Sequence, residues 1–223
     1  MKKGNKFFNV IVTIAIITLI CVVGYAAYYY VNRFIAFKQS EKMVEEFENN
    51  IVVVAIDDEN QSKEGQENTE NDTIVETQST PSHSTKRTPS NSSKSYKVIG
   101  TIKIPKTNVK AAIVDRETVS SMTSAVAVLY GVGLNKPGNT VLAAHNYRNG
   151  TLFSNNKKLM VGDKIYITDQ MGTTIEYSIY KSYITSDTDF EYAVRNTGGK
   201  REISLTTCTT DASKRLVIWA RET

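Results

Sequence analysis

Cysteine and histidine are scarce in this chain of 223 residues, which contains two of each. Cys21 lies inside a long apolar run, so the even number of cysteines does not predict a disulfide, and we expect Cys208 to be a free thiol. Outside that run, and outside a polar stretch around His83, the chain has one cysteine and one histidine, Cys208 and His145. These two side chains cannot supply the four ligands of a zinc site, and we expect no metal and no cofactor.

The chain also lacks a large excess of charge of one sign. Its net charge is +4, which is mild and does not predict a nucleic-acid partner. The length is sufficient for one ordinary domain with appendages. If the chemistry of that domain is of the Cys–His type, Cys208 and His145 are the residues that carry it.

Residues 7–31 form an apolar run without a charged side chain, and roughly 20 such residues are needed to span a bilayer. A signal peptide cleaved near residues 24–27 is the alternative, although its apolar region should be shorter. Three lysines and the α-amino group within residues 1–6 narrowly outweigh the basic residues that follow the run. We therefore predict a cytoplasmic tail (1–6), a single transmembrane anchor in the cell membrane (7–31) and an extracellular C-terminal domain.

Residues 32–95 are predicted to form a juxtamembrane helix followed by a disordered stalk. Phe34, Phe37, Val44 and Phe47 recur at helical spacings among charged residues. Residues 57–95, which include His83, are rich in acidic, amide and hydroxyl side chains and cannot bury enough apolar surface to order themselves. Such a stalk would hold the following domain roughly 35–40 Å from the anchor.

The domain at residues 96–223 has a sequence typical of a mainly β protein. Short segments of alternating or apolar residues are separated by glycine, proline and asparagine turn signals. Strands are predicted at residues 98–104, 111–114, 140–144, 164–168, 174–185, 202–208 and 215–221. One or two helical turns are predicted within residues 117–125. Seven or eight strands with little helix favour a closed barrel or a sandwich.

Cys208 and Arg215 occupy the facing ends of two predicted strands. If these strands are neighbours, the Arg215 side chain lies near the sulfur. A thiolate is the nucleophile in cysteine enzymes, an imidazole can take or share its proton, and a cation can stabilise developing negative charge. Taken singly, Cys208 could be a small buried side chain, His145 a turn residue and Arg215 a solvated strand end. In the predicted strand at residues 215–221, side chains alternate between the two faces. One face therefore carries the side chains of Arg215, Val217, Trp219 and Arg221.

Three motifs resemble those of the sortases, the membrane-anchored cysteine transpeptidases of Gram-positive bacteria. Leu-Thr-Thr-Cys at residues 205–208, followed by Arg-Leu-Val-Ile at 215–218, is similar to the sortase cysteine signature. Ala-His-Asn at 144–146, followed by Asn-Gly-Thr-Leu-Phe at 149–153, resembles the histidine motif. Leu-Met-Val-Gly-Asp-Lys-Ile at 159–165 resembles a segment that precedes a sortase strand. The resemblance covers about residues 96–222.

This resemblance implies an eight-stranded closed β-barrel with short helices as the catalytic domain, following the anchor and stalk. It implies cleavage of an LPXTG-like sorting signal of surface proteins, and transfer of the acyl group to an amine of a cell-wall (peptidoglycan) precursor or of a pilin. By the motifs, Cys208 is the nucleophile, His145 the general acid and base, and Arg215 the stabiliser of the oxyanion or substrate. Thr207 matches a position that helps to hold the substrate.

The sequence departs from the sortase pattern in two places. Ser204 stands where the signature has threonine, and seven residues from Cys208 to Arg215 is a short spacing. The histidine motif resembles class B, but residues 185–201 are too few for the long inserted helix of that class, so the subclass stays open. Some sortases use calcium, but no acidic cluster here matches such a site.

Two other functions remain open at this stage. One is another Cys–His acyl-transfer enzyme of the cell wall, similar to an L,D-transpeptidase, although that family has a histidine where Thr207 precedes Cys208. The other is a non-catalytic surface module with the same fold.

Overall fold

The computed structural model describes residues 4–61 and 96–223 of the chain. The predicted stalk from residue 62 onward, with His83, lies outside the described residues. The strands are β1 (Val98–Ile104), β2 (Val109–Val114), β3 (Val126–Gly131), β4 (Gly138–Ala143), β5 (Lys164–Asp169), β6 (Thr174–Ser186), β7 (Arg201–Cys208) and β8 (Lys214–Glu222). The helices are α1 (Gly4–Gln61), the short α2 (Val119–Met122) and two 3-10 helices (Pro105–Thr107 and Leu152–Lys158).

Within residues 96–223 the eight strands close into a barrel in the order β1-β2-β3-β4-β7-β8-β6-β5. The predicted mainly β closed barrel is therefore confirmed. Neighbouring strands are antiparallel except for two parallel pairs, β2 with β3 and β4 with β7. Because β4 and β7 run in the same direction, their carboxyl ends lie side by side, with Ala143 opposite Thr206.

Apolar side chains fill the barrel. Fully buried residues from all eight strands form one cluster that includes Ile102, Ile113, Val126, Leu142, Ile165, Ile179, Leu205 and Ile218. Strand β8 shows the predicted alternation, since Ile218 and Ala220 join this interior cluster while Val217 and Trp219 point outwards. The outward pair is covered by Tyr192 and Ala193 from the β6–β7 connection, so both faces of β8 are packed.

Strand β3 was not predicted, and its surroundings explain why. Val126 packs into the barrel interior, whereas the neighbouring Ala125 and Ala127 belong to a second cluster on the outside of the barrel. A strand whose start is buried on both faces is uniformly apolar and lacks the alternation that marks a half-buried strand.

Helix α1 continues without interruption from the apolar run to Gln61 and so extends past residue 57, where the predicted polar stalk begins. None of its most apolar stretch is buried in protein, and the helix is long and apolar enough to cross a membrane. Its later part packs on the barrel through a stripe with helical spacing, formed by Ser40, Met43, Val44 and Phe47.

This docking places the barrel directly against α1. Met43 and Val44 pack on Tyr96, Ala112 and Val114, all of them buried. Nearby, the Lys110 ammonium lies 2.8 Å from the Glu48 carboxylate. The predicted helix is present. Of the four residues predicted at helical spacing, Val44 and Phe47 belong to the buried stripe, whereas Phe34 and Phe37 remain exposed.

Candidate active site

Cys208 is the last residue of β7, and Arg215 is its cross-strand partner on β8. The Arg215 guanidinium donates to the sulfur, with Nη1 3.2 Å from Sγ. Both side chains are half-buried. The cationic group therefore lies beside the thiol and remains open to a molecule arriving from solvent.

The connection between β7 and β8 is a tight turn, which explains the short spacing of Cys208 and Arg215. The Thr209 backbone N–H donates to the Lys214 carbonyl over 2.9 Å. The Thr209 hydroxyl donates to the Asp211 carboxylate over 2.5 Å, and the Ser213 N–H donates to the same oxygen over 3.2 Å. These donors lower the pKa of Asp211 to about 2, the Thr209 hydroxyl having the largest effect. The two strands thus remain paired up to their ends.

His145 follows the end of β4, and the residues on either side of it are bonded to β7. The Thr207 hydroxyl donates to the Ala144 carbonyl over 2.7 Å. On the other side of His145, the Asn146 side-chain amide donates to the Cys208 carbonyl over 3.0 Å. These two hydrogen bonds hold the backbone of the histidine segment against the backbone that carries the thiol.

The histidine loop, residues 145–152, is closed on itself. The Asn149 carboxamide oxygen accepts from the Thr151 N–H and hydroxyl, at 3.0 and 2.7 Å. The Phe153 N–H donates to the His145 carbonyl over 3.3 Å, and Phe153 is buried in the barrel core. A long loop is thereby anchored at both ends, with the imidazole on its outer side.

The His145 imidazole is open to solvent on one side and packs on the other against Tyr147, with ring centroids 5.0 Å apart. This partial burial lowers the pKa of His145, and the negative charge of Glu117 partly opposes the effect. Burial disfavours the charged imidazolium. At neutral pH the ring is therefore mainly neutral and able to accept a proton.

The sequence of residues 102–223 matches the model of the sortase domain family. This chain belongs to the sortase family. Sortase A of Bacillus anthracis is 34% identical over 124 residues, which are 54% of this chain and 58% of that protein. The chain thus spans less than two thirds of the length of that relative.

Solved sortase structures share the fold. A lid mutant of sortase A from Corynebacterium diphtheriae has a TM-score of 0.53 and 27% identity, covering 60% of this chain and 74% of that chain. The pilus-related sortase C of group B Streptococcus has a TM-score of 0.52 and 26% identity, covering 56% and 67%. The similarities thus extend to sortases of more than one class.

Within this sortase barrel, the residues predicted from the sequence come together at one edge. Cys208 and Arg215 are in contact, and the histidine loop is bonded to the segment Thr207–Cys208. The Thr207 side chain is buried and its hydroxyl is already engaged with Ala144, so its implied part in holding substrate stays a prediction. The hydrogen bond of Asn146 was not predicted, because its partner Cys208 is distant in the sequence. The contact of the Tyr147 ring with His145 was not predicted either, although the two residues are close in the sequence.

A buried ion-pair cluster lies at the other end of β7 and β8. Glu202, 2% exposed, accepts from Arg195 and from Arg221, the latter over 2.6 Å, and the Tyr180 hydroxyl donates to it over 2.7 Å. Burial, followed by this hydrogen bond, raises the pKa of Tyr180 to about 12. Arg195 also stacks on Trp219 at 4.5 Å. The cluster fixes the β6–β7 connection on the outside of the barrel.

Proposed function

We propose that this protein is a membrane-anchored cysteine transpeptidase that cleaves an LPXTG-like sorting signal and joins the acyl group to an amine. The observation that carries the proposal is the Cys208–Arg215 pair, held beside the histidine loop within a sortase barrel. Each residue type has a defined part in acyl transfer. Strand pairing holds Arg215 beside Cys208, and two hydrogen bonds hold the histidine loop against the backbone of Thr207 and Cys208.

The first half-reaction uses the neutral imidazole. His145 accepts the proton of the Cys208 thiol as the sulfur attacks the carbonyl carbon of the substrate threonine. Negative charge then develops on the carbonyl oxygen, and the Arg215 guanidinium beside the sulfur is placed to donate to it. When the bond to glycine breaks, His145 returns its proton to the departing amine, leaving a thioester on Cys208.

The second half-reaction reverses these roles. An incoming amine attacks the thioester carbonyl, His145 takes a proton from the amine, and the sulfur leaves and recovers that proton. The product is an amide, and the enzyme returns to its starting form. We propose as acceptor an amine of a cell-wall precursor or of a pilin, and as donors surface proteins that carry a C-terminal sorting signal.

The membrane anchoring rests on α1. Its apolar stretch fits a single-pass anchor, and the lysines at its start favour a cytoplasmic N-terminus with the barrel outside the cell. Protease added to intact cells that express the chain should remove the barrel, with cleavage in the predicted stalk, and leave an anchored fragment. A barrel that is protected until the membrane is permeabilised would contradict this orientation.

The activity is tested with the full-length chain in detergent micelles, a labelled LPXTG-type peptide and triglycine as the amine. We expect cleavage between threonine and glycine, together with a ligated product found by mass spectrometry, and loss of both after thiol alkylation. Turnover of a peptidoglycan stem peptide instead would favour an L,D-transpeptidase-like enzyme. No turnover of either substrate by folded protein would favour a non-catalytic module.

A further inference from the structure

A cavity of about 440 Å³ lies between α1 and the barrel, beside the stripe that docks the helix. This volume is within the range of about 300–1,000 Å³ that is usual for small-molecule sites. One wall comes from residues 25–40 of α1, and the other from the start of β2, the end of α2 and the histidine loop. The cavity is therefore distinct from the Cys208–Arg215 pair but shares a wall with the loop that carries His145.

The α1 wall is aromatic with one cation. Tyr28, Tyr29 and Phe37 line it, and the Arg33 guanidinium lies over the Tyr29 ring, 5.4 Å from its centroid. Among the residues that the structure describes, no carboxylate is within ion-pair distance of Arg33, whereas Lys38 and Lys42 each pair with a glutamate on the same helix. Arg33 is thus a half-buried cation at an apolar cavity, available to an anionic group.

The barrel wall contributes an unpaired donor. Ser124 lines the cavity, is 2% exposed, and its hydroxyl makes no hydrogen bond to any of the residues that the structure describes. Buried hydroxyl groups nearly always form a hydrogen bond, so the Ser124 hydroxyl is expected to have a partner. A ligand with an acceptor oxygen that enters the cavity would provide one.

We propose that this cavity binds a phospholipid of the surrounding bilayer, with its phosphate at Arg33 and its acyl chain along the aromatic wall. The inference rests on the proposed membrane anchoring of α1. The α1 wall, residues 25–40, includes the last residues of the predicted anchor, which ends at residue 31, so lipid of the bilayer lies next to the cavity. Tyrosines and an arginine at that depth match the amphipathic character of the headgroup region.

Lipid in this cavity would also touch the catalytic loop. Tyr147 lines the cavity, donates its hydroxyl to the Thr123 carbonyl over 3.2 Å, and packs against the His145 ring. Thr151 and Leu152 of the same loop form part of the wall. The bound lipid would therefore support the part of the histidine loop that follows His145.

The test uses the full-length chain in phosphatidylcholine nanodiscs that contain a phosphatidylglycerol with a photoreactive acyl chain. After illumination, peptide mapping should find lipid adducts on the barrel, within residues 123–124 and 147–152, in addition to adducts on the anchor. Ala36→Trp fills the cavity from the α1 wall and should abolish the barrel adducts. Its control is Ile35→Trp, on the neighbouring outward-facing position (57% exposed), which should retain them.

A second pair of variants tests the phosphate site by removing a positive charge without filling the cavity. Arg33→Gln should reduce barrel labelling by the lipid, whereas Lys38→Gln, whose charge is already paired with Glu41, should not. Adducts confined to residues 8–31, or barrel adducts unchanged in both Ala36→Trp and Arg33→Gln, would overturn the lipid site while leaving the anchor intact. No adducts on α1 would overturn the anchoring itself. Peptide cleavage in the same samples reports on the proposed activity independently.

Discussion

Cys208 and Arg215 face each other across the last pair of β7 and β8, and the arginine Nη1 lies 3.2 Å from the sulfur. Their seven-residue spacing follows from this register, because a tight turn connects the two strands directly after their last residue pair. A guanidinium held by a strand is pre-organised for the charge that develops at the attacked carbonyl.

Replacement of Arg215 by alanine should lower kcat for peptide cleavage by about 10²–10³-fold, as loss of an oxyanion donor does in other enzymes. Arg215→Lys should recover only part of the loss, because an ammonium does not reproduce the planar fork of donors. The measurement is steady-state cleavage, with thermal unfolding recorded alongside.

Arg201→Ala is the control for this series. Its partner Glu222 is on the surface, and the ion pair of 2.8 Å is partly exposed. Arg221 is unsuitable because it binds the buried Glu202. Normal activity of Arg215→Ala, or equal damage in Arg201→Ala, would show that the wrong arginine has been assigned.

Asn146 should act as a positioning residue for the histidine. Its amide donates to the Cys208 carbonyl, and Asn146→Asp keeps the shape but replaces the donor with an acceptor that the carbonyl repels. We expect kcat to fall by up to about 10²-fold, the cost of a displacement of roughly 1 Å, with little change in KM. Asn146→Ala should behave similarly.

The matched control is Asn196→Ala, in the β6–β7 connection, which removes a loop amide far from Cys208. An effect on KM alone, or equal losses in the Asn146 and Asn196 variants, would contradict a positioning role. Unchanged kcat in Asn146→Asp would do so as well.

The pKa of His145 should lie below the ordinary value of about 6.5 for histidine, because burial against Tyr147 disfavours the imidazolium. Glu117→Gln removes a negative charge that stabilises the charged ring, so this pKa should fall further. NMR titration of the imidazole protons measures it, with His83→Gln used to assign the other histidine. Glu191→Gln, an exposed change in the β6–β7 connection, is the control, and an upward shift in Glu117→Gln would refute the assignment.

Glu202 should be important for stability rather than for catalysis. Glu202→Gln leaves two arginines without their buried counter-charge, and we expect a loss of about 3–5 kcal/mol in the free energy of unfolding. The surface change Glu222→Gln should cost less than about 1 kcal/mol. Urea titration followed by the fluorescence of Trp219, the single tryptophan, compares the two variants. Equal losses would contradict the assigned role of the buried cluster.

The sequence was sufficient to predict the elements whose signals are local. Alternation and turn residues placed most strands within a few residues, and the register of β7 against β8 made Arg215 the neighbour of Cys208. Strand β3 was not predicted, because burial on both faces removes the alternation of apolar and polar residues. The hydrogen bonds of Thr207 and Asn146 were not predicted for another reason, since each joins residues more than 60 positions apart. Helix docking likewise depended on tertiary contact, which selected Met43 rather than Phe34 for burial.

Cys208 should form a thioester with the sorting signal. Full-length protein is incubated briefly with an LPXTG-type peptide without an amine acceptor, quenched in acid, and its intact mass is measured. We expect an added mass equal to the peptide up to its threonine in the unmodified chain and in Cys21→Ala, and no added mass in Cys208→Ala. An adduct on Cys208→Ala, or cleavage of the peptide by that variant above the uncatalysed background, would contradict it.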